Sequence, residues 1–169
     1  DTMSDDDIRQ FALEAVNQEW NDRAKRSEYQ SDAQFAYDHA LTVSAVESFF
    51  ETDGIEHARN SVATEETVTC EHEGRRLKGR VDNIVRTDEG LHVYDYKGSF
   101  GNIISSWSSD SIPEHLDGEE FIPGKLKSLF QAAIYIEGAK NLDVYEPGME
   151  VGFSFYALMK NKSRTGHPD

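Results

Sequence analysis

Two runs of strand-forming residues flank the turn-forming cluster Thr87-Asp88-Glu89-Gly90, so Gly79 to Lys97 is expected to fold as a β-hairpin. A turn centred between Asp88 and Glu89 sets Asp82 opposite Asp95 and Arg80 opposite Lys97. Directly opposed residues of an antiparallel pair share a face, with Cβ atoms about 4.5–5.5 Å apart. Two carboxylates therefore lie side by side, with two cations beside them. Like charges across a pair destabilise a sheet, and Asp is a poor strand former. A divalent cation resolves the conflict. Oxygen ligands suit Mg²⁺ or Mn²⁺, and Mg²⁺ is commonly held by one or two carboxylates plus phosphate oxygens. Lys97 is two residues from Asp95 and shares its face, where an ammonium can orient a water or neutralise a phosphate. The other reading of these residues is an exposed, charged hairpin end with no chemistry.

The charge balance bears on what such a site meets. Net charge is −15, from 32 acidic and 17 basic residues. A nucleic-acid-binding protein normally carries a basic footprint. Either the chain does not touch nucleic acid, or it comes from a salt-loving organism whose proteins stay soluble through an acidic surplus. The acids are spread along the whole chain, which favours the second explanation. The bases cluster: Arg75, Arg76, Lys78 and Arg80 lead into the Asp82 strand, Lys125 and Lys127 follow later, and Lys160, Lys162 and Arg164 come last. A local positive rim around an acidic metal site suits a phosphodiester. Solvated charges on a frayed tail explain the last cluster equally well.

A single cysteine, Cys70, allows no internal disulfide and no cysteine-rich zinc site. No apolar run approaches transmembrane length and no signal peptide is visible, so a cytoplasmic location is expected. No glycine-rich phosphate loop is present, which assigns any ATPase activity to another domain. The start at Asp1-Thr2-Met3 is that expected of a fragment of something longer.

In chain order, residues 5–26 are expected to form a helix. Ser4 caps it, Asp5, Asp6 and Asp7 sit in the favourable first turn, and Ile8, Phe11, Ala12, Ala15, Val16 and Trp20 recur at helical spacing. Ser31 or Asp32 caps a second helix to about Phe50, with an apolar stripe of Phe35, Val43, Val46 and Phe50 that also carries His39. Thr64 to His72 alternates as a strand, and Glu73-Gly74 turns into the strand from Arg76 to Arg86. Residues 98–122 exceed the usual connection of at most about 12–15 residues and leave directly from the Lys97 strand, as a mobile lid or strand-guiding loop would. Within it Trp107 either stacks on a base or tucks into the core. Pro123-Gly124 opens a helix to about Lys140, with Leu126, Leu129, Phe130, Ala133 and Ile134 as its buried face. Lys127, Gln131 and Tyr135 form a separate polar stripe. Residues 150–159 alternate with both sets largely apolar, as in a strand covered on both faces. The order α-α-β-β-β-α-β describes one α/β domain over 1–160, with a helical part at 1–60, a sheet core at 64–160 and a polar tail at 161–169.

Gly79-Arg80-Val81-Asp82, then Asp95-Tyr96-Lys97, then Gln131-Ala132-Ala133-Ile134-Tyr135 resemble the GxxD, DYK and QxxxY motifs of the PD-(D/E)xK nucleases. The closest branch is the RecB-like one, whose nuclease domains are often fused to DNA helicases. The resemblance covers residues 64–160 and implies a restriction-endonuclease-like fold, a mixed central β-sheet flanked by α-helices. It implies that Asp82 and Asp95 hold the metal, with the Tyr96 backbone carbonyl as a further ligand, and that Lys97 positions or activates the attacking water. Gln131 and Tyr135 would support the metal site or the DNA, with Arg80 and Lys127 as further supporting residues. A histidine on a helix ahead of the GxxD strand often joins the family's metal site, usually further upstream than any histidine here. His39 and His57 are the candidates, and a core histidine bonded to a neighbour is the other reading of His39. Glu66 matches a glutamate often seen shortly before GxxD; an exposed strand-edge carboxylate is its other reading. Some RecB-like nucleases carry an iron–sulfur cluster on four cysteines, which this chain cannot build alone.

By resemblance, then, the function is Mg²⁺- or Mn²⁺-dependent DNA phosphodiester hydrolysis. It would belong to the exonuclease module of a helicase–nuclease in DNA repair or recombination. The implied partners are DNA and a helicase or ATPase domain, with no membrane. Two other classes stay open: an inactive nucleic-acid-binding domain of the same fold, and an acidic interaction domain.

Overall fold

Thr87 and Gly90 close the hairpin turn between them. In the computed structural model, which describes residues 2–98 and 123–158, the Thr87 N–H donates to the Gly90 carbonyl at 2.9 Å and the Gly90 N–H to Thr87 Oγ1 at 3.1 Å. The strands leaving this turn are β2 (Arg75–Arg86) and β3 (Gly90–Lys97). They pair Asn83 with Tyr94, Ile84 with Val93, Val85 with His92 and Arg86 with Leu91, which is the expected register. Strand β1 (Ser61–His72) lies antiparallel to β2, and β4 (Glu150–Ala157) lies parallel to β3. The result is a mixed four-stranded sheet in the order β1-β2-β3-β4, with helices completing an α/β fold.

Three helices precede the sheet: α1 (Asp5–Arg23), α2 (Asp32–Glu51) and α3 (Gly54–Asn60). Ser4 caps α1 in a reciprocal box with Asp7, and Ser31 caps α2 through the Gln34 N–H. Helix α3 and a 3₁₀ turn at Arg26–Glu28 were not expected; both are too short to show a helical period. The expected stripes also differ. Phe11 is exposed, and α2 buries Leu41, Ser44 and Ala45 most deeply, ahead of its aromatic residues. Trp20 packs against Tyr29, Phe35 and His39. Backbone contacts divide the chain into two compact units, one comprising the helices up to Arg59 and the other Asn60–Ala157.

Helix α4 (Pro123–Ala139), whose side chains are described from Leu129 onward, lies against one face of the sheet. Its buried residues are Tyr135 and Ala139, which join Val68, Val81, Ile84, Leu91 and Val93 in one core. Burying each of those five aliphatic side chains contributes about 1.5–3 kcal/mol. Of the face expected to be buried, Ile134 packs against this core, while Leu129 and Phe130 are about half exposed and Ala133 is exposed. Glycines decide the matter. A Cβ on Gly79 would lie 2.4 Å from Tyr135 Cε1, and one on Gly138 would lie 2.7 Å from Val68 Cβ and 3.2 Å from the Thr69 nitrogen. The helix therefore meets the sheet through its narrow Tyr135–Gly138–Ala139 side, which larger residues would hold away.

The segment 99–122 with Trp107, the side chains of Lys125, Leu126 and Lys127, and the chain from Met159 onward with Lys160, Lys162, Arg164 and the tail lie outside the described residues. No helix among the described residues is long and apolar enough to cross a membrane.

Gly138→Ala tests the close approach. Alanine in a helix ordinarily gains up to about 1 kcal/mol over glycine, whereas overpacking against Val68 costs about 1–3 kcal/mol. Urea unfolding of the variant is expected to show a net loss of stability. An unchanged or raised midpoint would show that the helix does not pack as described.

Candidate active site

Regular alternation would put Val81 and Ile84 on opposite faces of β2. Both are fully buried in the core under α4. The alternation therefore inverts between them, at Asp82. Its opposite number on β1 is Glu65: Thr64 pairs with Asn83 and Glu66 with Val81, but Glu65 and Asp82 between them make no ladder pair. Glu65 carries the irregularity in its backbone, with φ at 53°, a left-handed conformation that costs a non-glycine residue free energy.

The β2–β3 ladder stops at Asn83 and Tyr94. Beyond it the Tyr96 N–H donates to Asp82 Oδ2 at 2.7 Å, so a side chain takes the bond that a backbone carbonyl would otherwise accept. This bond ties the half-buried Asp82 to the Asp95-Tyr96-Lys97 segment, and it leaves Asp82 Oδ1 without a hydrogen bond among the described residues.

Asp95 is only 4% exposed. Gln131 Nε2 donates to its Oδ1 at 3.4 Å. Its Oδ2 is buried and accepts no hydrogen bond of ordinary geometry, although the Lys97 ammonium lies against it as an ion pair. The single ammonium supplies opposite charge to Asp95 Oδ2 without filling both of its lone pairs. Burial pushes the Asp95 carboxyl above its ordinary value; Lys97 pulls it back down and Asp82 pushes it up further. Lys97, itself half-buried, also lies over the Phe155 ring at 5.6 Å.

Helix α4 supports this pair from one side. Gln131 Nε2 also donates to the Tyr135 hydroxyl at 2.8 Å, and that hydroxyl donates to the Arg80 carbonyl at 2.6 Å. The expected polar stripe thus brings Gln131 and Tyr135 to the carboxylates. On the far face, Tyr96 accepts a bond from Asn83 Nδ2 at 3.1 Å, and Asn83 Oδ1 accepts from Ser61 at 2.7 Å. Burial pushes the Tyr96 hydroxyl up to about 12, against a smaller opposing effect from Asn83, so it stays protonated. Sequence reasoning passed over Asn83. A poor strand former between Asp82 and Ile84 was its available signal.

Arg80 and Glu66 lie elsewhere on the sheet. Arg80 is not beside the carboxylates opposite Lys97, as expected. It pairs with Thr67 on β1, and its guanidinium meets the Glu65 carboxylate at 2.7 Å and the Glu65 carbonyl at 3.3 Å. The inverted alternation at Asp82 turns it to the face away from α4. Glu66 is exposed on β1 opposite Val81. In the helical unit, His39 bonds Asn17 Oδ1 through Nε2 at 2.9 Å and rests on Trp20, while the buried His57 packs edge-on to Phe49. Lys127 lies outside the described side chains.

Among the described residues, no group of three or more His, Cys, Asp or Glu side chains gathers as a ready-made cage. Two carboxylates, Asp95 with a buried oxygen that accepts no hydrogen bond and Asp82 with its Oδ1 outside the bond from Tyr96, still fit a hydrated Mg²⁺ or Mn²⁺ ion, which needs few protein ligands. A histidine- and thiolate-seeking ion would find no such donors at this pair.

A search of curated proteins gave no significant match. A family model described as the PD-(D/E)XK nuclease superfamily matches residues 1–168, which include all three motifs and both compact units. The superfamily generally comprises phosphodiester-cleaving nucleases that use Mg²⁺ or a similar divalent ion, so the match supports a nuclease-type function. With the carboxylate pair, its lysine and the supporting Gln–Tyr helix in place, the chain belongs to the PD-(D/E)XK nuclease superfamily.

Proposed function

We propose that the chain is a Mg²⁺- or Mn²⁺-dependent deoxyribonuclease whose site is built on Asp82, Asp95 and Lys97. The observation that carries this reading is the buried Asp95 carboxylate, with one oxygen under-satisfied and Lys97 against it. Lys97 supplies opposite charge but leaves a lone pair of that oxygen unfilled, and a bound cation would fill it. Asp82, Asp95 and the Tyr96 carbonyl would hold the ion. When bound, it lowers the pKa of a coordinated water and offsets charge on the phosphate.

The protein's own residues do the positioning. Gln131 holds Asp95 Oδ1, and Tyr135 fixes the β2 backbone at Arg80. The Tyr96 N–H orients the Asp82 carboxylate. Lys97 turns its ammonium from Asp95 Oδ2 toward the attacking water and the scissile phosphate. His39 is left out of this ligand set, because its Nε2 is taken by Asn17. The matched residues span both compact units, which supports reading 1–160 as one nuclease module. The likeness of the motifs to the RecB-like branch supports an exonuclease module of a cytoplasmic helicase–nuclease in DNA repair or recombination. The acidic surplus supports a halophilic source and calls for assays in concentrated KCl.

With Mg²⁺ or Mn²⁺, the wild-type chain is expected to degrade end-labelled DNA, and a ladder of strands shortened stepwise from one end would mark exonucleolytic attack. Asp82→Ala should abolish cleavage. Lys97→Ala should slow it by about 10²–10⁴-fold with an unchanged circular-dichroism spectrum. Near-wild-type cleavage by either variant would refute the assignment.

The direction of the Asp95 shift gives a second prediction. Because its folded-state carboxyl titrates above the unfolded one, wild type loses stability as pH rises through that window. In EDTA at neutral pH, Asp95→Asn is expected to melt at a higher temperature than wild type. The gap should narrow as pH falls and Asp95 takes up its proton. A lower melting temperature for the variant, constant with pH, would show that the charge is well compensated without metal.

A further inference from the structure

The β2–β3 ladder stops at the Asn83–Tyr94 pair, yet Tyr96, two residues further along β3, is still held to β2. Two consecutive residues of β2 hold it with their side chains. Asp82 Oδ2 accepts the Tyr96 backbone N–H at 2.7 Å, and Asn83 Nδ2 donates to the Tyr96 hydroxyl at 3.1 Å. The backbone of Tyr96 and the tip of its ring are thus gripped by neighbours in sequence. The Tyr94 ring lies nearly parallel to that of Tyr96 at 6.3 Å, and Tyr156 meets it edge-on at 5.8 Å. Those contacts tie the ring to β3 and β4; the Asn83 bond ties it to β2. Asn83 is itself only 6% exposed and is held from its other side, where Ser61, the first residue of β1, donates to its Oδ1 at 2.7 Å. One amide therefore bridges three strands. The residue type matters. An amide offers a donor and an acceptor at one position, and here both are used. Aspartate would supply acceptors alone and add a carboxylate next to Asp82, and an apolar residue would bond neither neighbour.

We propose that Asn83 is a positioning residue of the metal site: it anchors the Tyr96 side chain so that the Tyr96 backbone stays against Asp82. Its part in the reaction rests on the nuclease reading, whereas the anchoring does not. The Tyr96 backbone has two tasks. Its N–H orients one oxygen of Asp82, and its carbonyl is the further ligand proposed above. Tyr96 also stands between Asp95 and Lys97, so its place on the sheet governs theirs. The segment is then braced from both faces. Gln131 holds Asp95 from the α4 side, and the Ser61–Asn83–Tyr96 chain of hydrogen bonds holds the next residue from the other. Partners of this outer kind fix the orientation of metal-binding groups without touching the ion, and their loss weakens metal binding.

The test reads the Tyr96 N–H directly, by amide hydrogen exchange followed by NMR on the full chain in EDTA and concentrated KCl. In Asn83→Ala this amide is expected to exchange about tenfold faster than in wild type, the equivalent of one lost hydrogen bond, while amides of β3 within the ladder keep their rates. Tyr96→Phe should reproduce the change at the same position, and the two substitutions together should go no further than either alone, as expected of residues that act through one bond. Val85→Ala is the control: it opens a cavity at a buried position of the same strand and removes none of these hydrogen bonds. It should lower stability and leave the Tyr96 amide in step with its neighbours. Mn²⁺ affinity, read by electron paramagnetic resonance, should fall about 10–100-fold in Asn83→Ala and Tyr96→Phe and stay at the wild-type value in Val85→Ala. If Asn83→Ala does not fold, Tyr96→Phe and Ser61→Ala, each the loss of a single hydroxyl, carry the same test. A Tyr96 amide that exchanges at the wild-type rate in these variants, or that responds equally to Val85→Ala, overturns the proposal, as does undiminished Mn²⁺ affinity in Asn83→Ala. The nuclease reading is separable. If the amide responds as described but wild type neither binds Mn²⁺ nor cleaves DNA, the anchoring of Tyr96 stands and the nuclease reading falls. Cleavage by wild type with an unmoved amide in every variant does the reverse.

Discussion

A carboxylate that is 4% exposed must be stabilised by its surroundings or be protonated, and the surroundings of Asp95 go only part of the way. Lys97 supplies opposite charge, and Gln131 supplies one long hydrogen bond. Asp82, the nearby like charge, works against both. Much of the sheet unit serves this one group. Gln131 reaches it because α4 lies close to β2, and α4 lies close because Tyr135 seats on Gly79 and Gly138 seats on Val68. The first residue of the GxxD stretch and the last of the QxxxY stretch are therefore two sides of one contact. A side chain at Gly79 would displace the tyrosine, and with it the glutamine that holds the buried carboxylate.

The other half of the site comes from irregularity in the sheet. A regular β2 would carry its alternation past Asp82 and continue its ladder to Tyr96. Instead the alternation inverts at Asp82, opposite a Glu65 held at positive φ, and the Asp82 side chain takes the Tyr96 N–H. Departures from regular pairing are where a sheet can aim a polar side chain outside its two ordinary faces. The same inversion decides the fate of Arg80, sending its side chain to the opposite face while its carbonyl stays with Tyr135.

Local chemistry made the hairpin legible. The Thr87–Gly90 turn and the register of β2 against β3 follow from turn residues and strand period, whereas Asp82 and Asp95, expected directly opposite each other, lie beyond the last ladder pair. The strands and long helices were legible within a few residues for the same reason. The buried side of α4 was not. Leu129, Phe130 and Ala133 form the more hydrophobic stripe, but the side that packs is the one with small residues and a tyrosine, because the sheet offers glycine opposite it. That complementarity joins residues 56 positions apart, Gly79 and Tyr135, and no periodicity reports it. The break at Asp82 was hidden likewise. Extending the register past Asn83 put Arg80 beside Lys97, whereas the ladder ends first. Helix α3 was too short to show a pattern at all.

Asp82 and Asp95 are proposed to form together a divalent-cation site that the apo protein holds ready at a cost in stability. The most direct measurement is Mn²⁺ binding followed by electron paramagnetic resonance in concentrated KCl, without DNA, for wild type and Asp95→Asn. One site per chain that disappears in the variant is the predicted result. Equal binding by both proteins, or none by wild type, would contradict it.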